Sequence, residues 1–433
     1  MSMRFRFGQW ALAAVLFAAG CSNSHIIDDP QGVQRVDDEP VKTIVVWHTY
    51  SDQETKIFEE TLIPRFERNH PGVRIESVRQ EYNLEYRAAI AAKASAGATP
   101  DVVRMEYSWV PDFASKRLLY PLDAFPDFAE AAGALAERMK ESGYYQGRAY
   151  ALPLNMNTKA AVYNAELARR AGVNPAEASL PEVLEAARGH GLVVGMAGLE
   201  MWQSLPYFFG LGGRLADKEF QAASGYFDSD ESVRAMETLL EWHRAGVLAP
   251  ELLDDADLWG GIRSGERLLM MDEGPWFYSI LLNSAEVGRS LMSATTPAPF
   301  PQGPEYGAVV GGESLVITKG SRHKEEAWAF IRWMLGKEAQ TALFGAGLIP
   351  THREALRDAE QIVAENPYLK AYMEGIADSF VRPPVPQWSK VEEIYKKAME
   401  DMFLHNRDVR VTLNEAAARM DEALNAGGRS SDR

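Results

Sequence analysis

Apolar residues fall in short β-rich runs that alternate with segments of helical spacing, the pattern of a largely parallel sheet covered on both faces. Thr43-Ile44-Val45-Val46 reads as a buried first strand. Ser51 and Glu54 have the spacing of a capping box, opening a helix whose inner face is Ile57, Phe58, Leu62 and Phe66. Pro71-Gly72 turns the chain into a second strand over Val73 to Val78, Asn83 caps an Ala-rich helix running to about Ser95, and Pro100-Asp101-Val102-Val103 begins a third strand. Further on, Leu268 to Met271 and Ser314 to Ile317 read as strands and Ala327 to Leu335 as the apolar side of a helix. Val391, Ile394, Tyr395, Ala398, Met399, Met402 and Phe403 keep helical spacing near the end. A chain of 433 residues exceeds one typical core, so two lobes of α/β size are expected.

The first residues follow a different pattern. Arg4 and Arg6 precede an apolar run from Trp10 to Ala19 that ends in Gly20-Cys21, too short for a membrane span and built like a secretory signal. Cys21 is the only cysteine, which excludes a disulfide framework. Ala18-Ala19-Gly20-Cys21 resembles the bacterial lipobox, departing from it where Ala18 replaces the preferred Leu. Residues 1–20 are therefore expected to be a lipoprotein signal peptide, and Cys21 to carry lipid. An ordinary secretory signal with a chance cysteine exports the protein equally. Ser22 to Val41 is polar and acidic, with Asp28, Asp29, Asp37, Asp38 and Glu39 among prolines, so 21–41 reads as a tether, and 426–433 as a disordered tail.

Charge and motifs narrow the function by exclusion. The formal net charge of −16 carries no long basic cluster, which disfavours nucleic acid and anionic membrane surfaces and suits a neutral solute. None of the eight histidines pairs with another at the helical spacing of a zinc site, so no metal is expected. Gly336-Lys337 lacks the rest of a phosphate-binding loop, Gly210-Leu211-Gly212-Gly213 does not continue as a dinucleotide fingerprint, and no nucleophile elbow is present. No cofactor is expected. In so acidic a chain, carboxylate pairs such as Asp272-Glu273 do not by themselves mark a glycosidase.

The tryptophans carry the positive signal. Trp242, Trp328 and Trp333 lie within helical patterns and read as core, whereas Trp47, Trp109, Trp202, Trp259, Trp276 and Trp388 sit in segments that look like loops or strand ends. Ligands of doubly wound sheets collect outside the carboxyl ends of the strands, and Trp47 and Trp109 each lie just past one, with His48 and Tyr50 or Glu106 and Tyr107 nearby. A flat aromatic face for the C–H side of a sugar, beside carboxylates or amides for its hydroxyls, is the combination a carbohydrate needs.

In order along the chain stand IVVWHTY (44–50), FERNHPGVRIE (66–76), SAGATPDVV (95–103), SWVPDF, LLYPLD, YYQGRAYALPLNMNTKAAVYNAEL (144–167), EGPW (273–276), GGESLVITKGSRHKEEAWAFIRWML (311–335) and GLIPT (347–351). By these pieces the chain resembles the extracellular solute-binding proteins of the maltose-binding type, although Ala161 departs from the larger apolar residue usual beside Tyr163-Asn164. The resemblance implies a two-lobed periplasmic-binding-protein fold of the venus-flytrap kind. Each lobe would be a doubly wound α/β sheet, the first built from 42–153 and 298–338, the second from 154–297 and 339–425. Crossings are expected near 152–157, 295–299 and 337–345. Trp47, Glu106, Trp109 and Glu313 would come from the first lobe, Asn155 from the hinge, and Trp202, Trp259, Trp276 and Trp388 from the second, with His48, Tyr50 and Tyr82 completing the set and Gly312 letting backbone approach the ligand. Trp276 resembles the family's stacking aromatic most closely. The implied role is capture of a carbohydrate, of maltose- or trehalose-like type, by a monomer that delivers it to the permease subunits of an ABC importer and catalyses nothing. The alternatives are a binding protein for a polyamine or oxyanion, a lipoprotein that reports sugar to a sensor, and an exported glycan-active enzyme.

Overall fold

The first sheet starts where the β-rich runs predict it. The computed structural model describes residues 40–81, 83–96, 99–250, 257–282, 285–363 and 368–426, so the expected signal peptide, lipidated Cys21, all of the tether before Pro40, Tyr82 and residues 427–433 lie outside the described residues. The early part of the chain supplies β1 (Lys42–His48), β2 (Val73–Arg79), β3 (Val102–Glu106), β4 (Leu119–Tyr120) and β5 (Ala151–Pro153). After β6 (Asn155–Thr158) come β7 (Ala160–Asn164), β8 (Val193–Met196), β9 (Leu248–Pro250), β10 (Leu268–Glu273) and β11 (Thr295–Pro299). The chain then returns through β12 (Val310–Gly311) to β13 (Glu313–Thr318), and a last strand, β14, is Ile349–Pro350.

These strands form two α/β sheets joined by a small third one. The first has the order β2-β1-β3-β13-β4, with β5 also on β13; the second has the order β9-β8-β10-β7-β11; and β12-β6-β14 lies between. Within the first sheet β1, β2 and β3 are parallel, as the patterning predicts, but β13 runs against β3, Glu313 opposite Glu106. In the second, β7 runs against both β10 and β11. One reason covers both reversals: each strand enters its sheet directly from the joining segments and must start at the edge where the parallel strands end.

The crossings fall at β6, β12 and β14. Residues 295–299, expected to cross, are a full strand of the second sheet, and Ala298, Phe300, Ala308 and Val309 pack in that sheet's core. The passage follows at Val310–Gly312. The segment 337–345 is mostly helix, with Ala339 and Leu343 in the first sheet's core, and the strand that meets β6 follows at 349–350.

Strand alternation decides where the first aromatics go. Ile44 and Val46 pack on one face of the sheet with Phe58, Leu62 and Phe66, beneath α1 (Asp52–Ile57), whose capping box is the predicted one. Trp47 points to the other face and packs with Tyr86 and Ile90 of α2 (Leu84–Ala96), capped as expected by Asn83, and with Val103 and Met105. His48 returns to the first face, fully buried, its Nε2 2.8 Å from Ser77 Oγ and its Nδ1 accepting from the Tyr50 amide. A ring that accepts at Nδ1 is neutral, and burial, with Arg104 and Arg79 nearby, pushes the imidazole down to about 3.

The sign of the consequence follows from linkage: the stability that neutral His48 supports is complete above its unfolded pKa of about 6.5 and is lost as pH falls towards the folded value. His48→Leu is expected to flatten the dependence of unfolding free energy on pH between about 6.5 and 4. Urea titrations across that window check it, and identical slopes in the two proteins would show that folding does not lower the pKa of His48.

Candidate functional site

Both sheets turn the carboxyl ends of their parallel strands towards the joining strands. In the first sheet that edge is marked by Glu106, at the end of β3, facing Glu313 at the start of β13. In the second it is marked by Glu273, at the end of β10, and Pro299, at the end of β11, both opposite Ala160 as β7 begins. These ends and β6 meet where the two sheets join, and that junction is the candidate ligand cleft, with the hinge strands as its floor.

The floor on the first sheet's side is an arginine-centred cluster. Arg104 of β3 donates from Nη2 to Glu313 at 2.7 Å and from Nη1 to Thr49 at 3.0 Å, while Asn155 of β6 donates to the same Glu313 oxygen at 2.7 Å. Its guanidinium lies 4.4 Å from the Tyr50 ring centroid. Gly312 lies against β6 with φ of +140°, and a Cβ there would collide with the Asn155 carbonyl, so glycine is required.

A second arginine ties the two sheets together. Arg382 pairs with Glu106 across the cleft floor, donates to Glu392 at 3.2 Å, and stacks 4.8 Å over Tyr107, whose hydroxyl donates to the Val310 carbonyl. Burial pushes the Glu106 carboxyl up to about 7 against the pull of Arg382. The Trp202 ring lies 5.9 Å from the same guanidinium, and a Cβ on Gly311 would come within 2.8 Å of that ring. Gly311 therefore lets the indole lie against the hinge backbone.

The second sheet's edge presents two more indoles. In α4 (Leu258–Ser264), Trp259 donates from Nε1 to Glu273 at 2.6 Å, and the other Glu273 oxygen accepts the Gly274 amide at 2.8 Å. Trp276 opens α5 (Trp276–Leu281) with its ring laid over Gly274, where a Cβ would overlap it. Trp202, Trp259 and Trp276 are all half-buried, each with part of its surface in solvent.

The structure thus brings together Glu106, Asn155, Trp202, Gly312 and Glu313, and places Trp259 with Trp276 on one edge. Other candidates face elsewhere, and burial is not what separates them, since Glu106 is 5% and Asn155 1% exposed. Trp47 and Trp109 pack in the core beneath α2, because alternation turns Trp47 to that face and the turn after Glu106 carries Trp109 back to it. His48 and Tyr50 are buried, as described. Trp388 is 1% exposed at the start of α6 (Trp388–Phe403), packed near Phe220 and Phe380, and reaches the site only through its Nε1 bond to Glu392. Arg104 and Arg382 were not anticipated. An arginine inside the apolar run Val102 to Met105 was the available signal, since such a position is buried only with a partner. Among the described residues no group of three or more His, Cys, Asp or Glu is placed to hold a metal ion, and no helix is long and apolar enough to cross a membrane.

Comparison with known proteins agrees with this architecture. The GacH receptor of Streptomyces glaucescens GLA.O, solved unliganded and with acarbose, matches with a TM-score of 0.76 at 26% identity, over 90% of this chain and 100% of that one. Maltose-bound MalE3 of T. maritima matches with a TM-score of 0.73 at 21% identity, over 89% of this chain and 99% of that one, a likeness of fold. In sequence, the maltotriose-binding protein of Pyrococcus abyssi (strain GE5 / Orsay) is 25% identical over 377 residues, 83% of this chain and 78% of its own. The family model of the bacterial extracellular solute-binding proteins matches residues 51–341, and the chain belongs to that family.

Proposed function

We propose that the chain captures a neutral carbohydrate, an oligosaccharide of maltose- or trehalose-like type, in the cleft and presents it to the permease subunits of an ABC importer without turning it over. The observation that carries this reading is the pairing of chemistries across the cleft. Three part-exposed indoles lie on the second sheet's side, one of them, Trp202, within 5.9 Å of the Arg382 that holds Glu106, while Arg104 and Asn155 hold Glu313 on the first sheet's side. Indole faces cover the C–H side of a sugar ring, and fixed acceptors receive its hydroxyls. A polyamine would want unpaired carboxylates, and an oxyanion an unpaired cation; here both arginines of the floor are already neutralised by carboxylates. The GacH receptor and the Pyrococcus protein, one solved with acarbose and the other named for maltotriose, support the sugar class.

The two sheets with their helices act as two lobes, and the sugar favours the closed arrangement because only there does it touch both. The protein works as a monomer held at a bacterial membrane by lipid on Cys21 and the acidic segment after it.

A thermal-shift panel of the domain from Val41 onward is expected to show one class of sugar raising the melting temperature. The panel comprises glucose, maltose, maltotriose, trehalose and diacetylchitobiose, with spermidine and phosphate for contrast. A shift with spermidine or phosphate alone would leave the two-lobed receptor standing and remove the carbohydrate. Within the sugar reading, Trp276→Ala should weaken binding by about 2 kcal/mol or more at an unchanged fold. Trp47→Ala should instead lower the unfolding free energy by about 3–5 kcal/mol with the dissociation constant unchanged. Calorimetry and urea unfolding of both variants separate the roles, and equal affinities in wild type and Trp276→Ala would take that indole out of the site. For the anchor, Cys21→Ser should move the full chain from the membrane fraction to the soluble exported fraction, and a variant that stays in the membrane fraction would refute the lipid.

A further inference from the structure

The second sheet contains a buried ion pair that the site as described does not use. Lys159 pairs with Asp272, and their side chains are 3% and 0% exposed. Removing two such charges from water costs several kcal/mol per ion in general, and a well-packed apolar pair is often at least as stable. Stability alone is therefore a poor account of the pair, and its connections supply a better one.

Asp272 reaches three separate segments of the cleft. Its Oδ2 accepts from Lys159, the residue between β6, which carries Asn155 to the floor, and β7. Its Oδ1 accepts from the amide of Ala197 at 2.9 Å, the first residue after β8 and the start of the loop leading to Trp202. The same oxygen lies 2.8 Å from the hydroxyl of Tyr207, which shares its proton with the Gly195 carbonyl at 2.6 Å. Tyr207 stands on α3 (Met201–Gly210), the helix whose first turn bears Trp202. Asp272 itself precedes Glu273, whose two oxygens hold the Trp259 indole and the Gly274 amide beneath Trp276. One carboxylate thus joins the hinge strand, the loop to Trp202 and the strand end that sets Trp259 and Trp276. Directional bonds fix these segments relative to one another, which an apolar pair of equal volume would not do.

We infer that Asp272, held by Lys159, is the positioning residue of the second sheet's half of the cleft, orienting Trp202, Trp259 and Trp276 for a sugar without touching it. This rests on the carbohydrate reading of the cleft, and the test keeps the two apart. The probe is whichever panel sugar stabilises the wild type most, and dissociation constant and off-rate are measured for each variant. Asp272→Asn and Lys159→Met are each expected to bind at least ten-fold more weakly, chiefly through faster dissociation. Tyr207→Phe, which removes the hydroxyl shared between Asp272 and Gly195 and keeps the ring, should lose affinity less and serves where the charge variants fail to fold. Leu413→Ala, a cavity in the second sheet's core at a residue bonded to none of these groups, should lower the melting temperature and leave the dissociation constant unchanged. In a Trp202→Ala background the Asp272→Asn loss should shrink, because part of what it orients is already gone. Wild-type affinity and off-rate in Asp272→Asn, or the same fold loss with and without Trp202, would overturn the inference alone. A wild type that binds no sugar of the panel would overturn the reading of the cleft first and this inference with it.

Discussion

The whole architecture depends on one constraint: the chain passes between its two sheets three times, and all three passages meet in the strand set centred on β6. A strand that leaves this junction enters its sheet at the edge where the parallel strands end, so β7 and β13 run against their neighbours. The reversal brings Glu313 opposite Glu106 and Ala160 opposite Glu273, which sets the carboxyl ends of both sheets beside the floor. In doubly wound sheets those ends are where ligands collect, because helix starts and loops cluster there and leave backbone and side-chain groups unengaged. A cleft between two such edges follows from connectivity before any particular side chain is considered.

Charge at the floor serves geometry more than net attraction. Arg104 spans Thr49, Glu313 and Asn155, and Arg382 spans Glu106, Glu392 and Tyr107, so each guanidinium fork fastens groups from distant parts of the chain. Arginine suits the task because its donors are rigid and it remains protonated when buried beside carboxylates. The acceptors it holds are directed without being free charges, a setting favourable to hydroxyls. Truncating either arginine would leave a buried carboxylate uncompensated, a larger loss than the pair's own net worth.

Much of this was legible along the chain, and the failures have a common cause. The capping box at Ser51, the cap at Asn83 and the strands from Lys42, Val73, Leu268 and Glu313 rest on local chemistry or on period, and local rules hold there. The indoles divided differently. Trp202, Trp259 and Trp276 stand at helix starts beyond strand ends and remain partly in solvent. Trp47 lies just past a predicted strand, where ligands collect, but parity decides its direction: Ile44, Val46 and His48 share one face, and Trp47 takes the other. The Pro-rich sequence before Trp388 suggests a loop, whereas the residue opens a long helix and packs inward. Arg382, in the same Pro-rich stretch, carries no local signal, since its partner Glu106 lies far away along the chain and only the fold joins them.

The two sides of the cleft are built to different degrees of rigidity, which bears on how a sugar would be held. On the second sheet's side the indoles are fixed by directional contacts: Trp259 on Glu273, Trp276 over Gly274, and the loop to Trp202 on Asp272. A side fixed in advance loses little side-chain entropy when a ligand arrives, so stacking there converts more fully into affinity. Contacts to Glu106 and Glu313 come from the other sheet and depend on how the hinge is set. A ligand that stacked on the indoles alone would bind open and closed arrangements equally and shift nothing. On the proposed reading of the cleft, selective closure then comes from hydroxyls reaching the arginine-held acceptors, while the aromatic side supplies the first foothold.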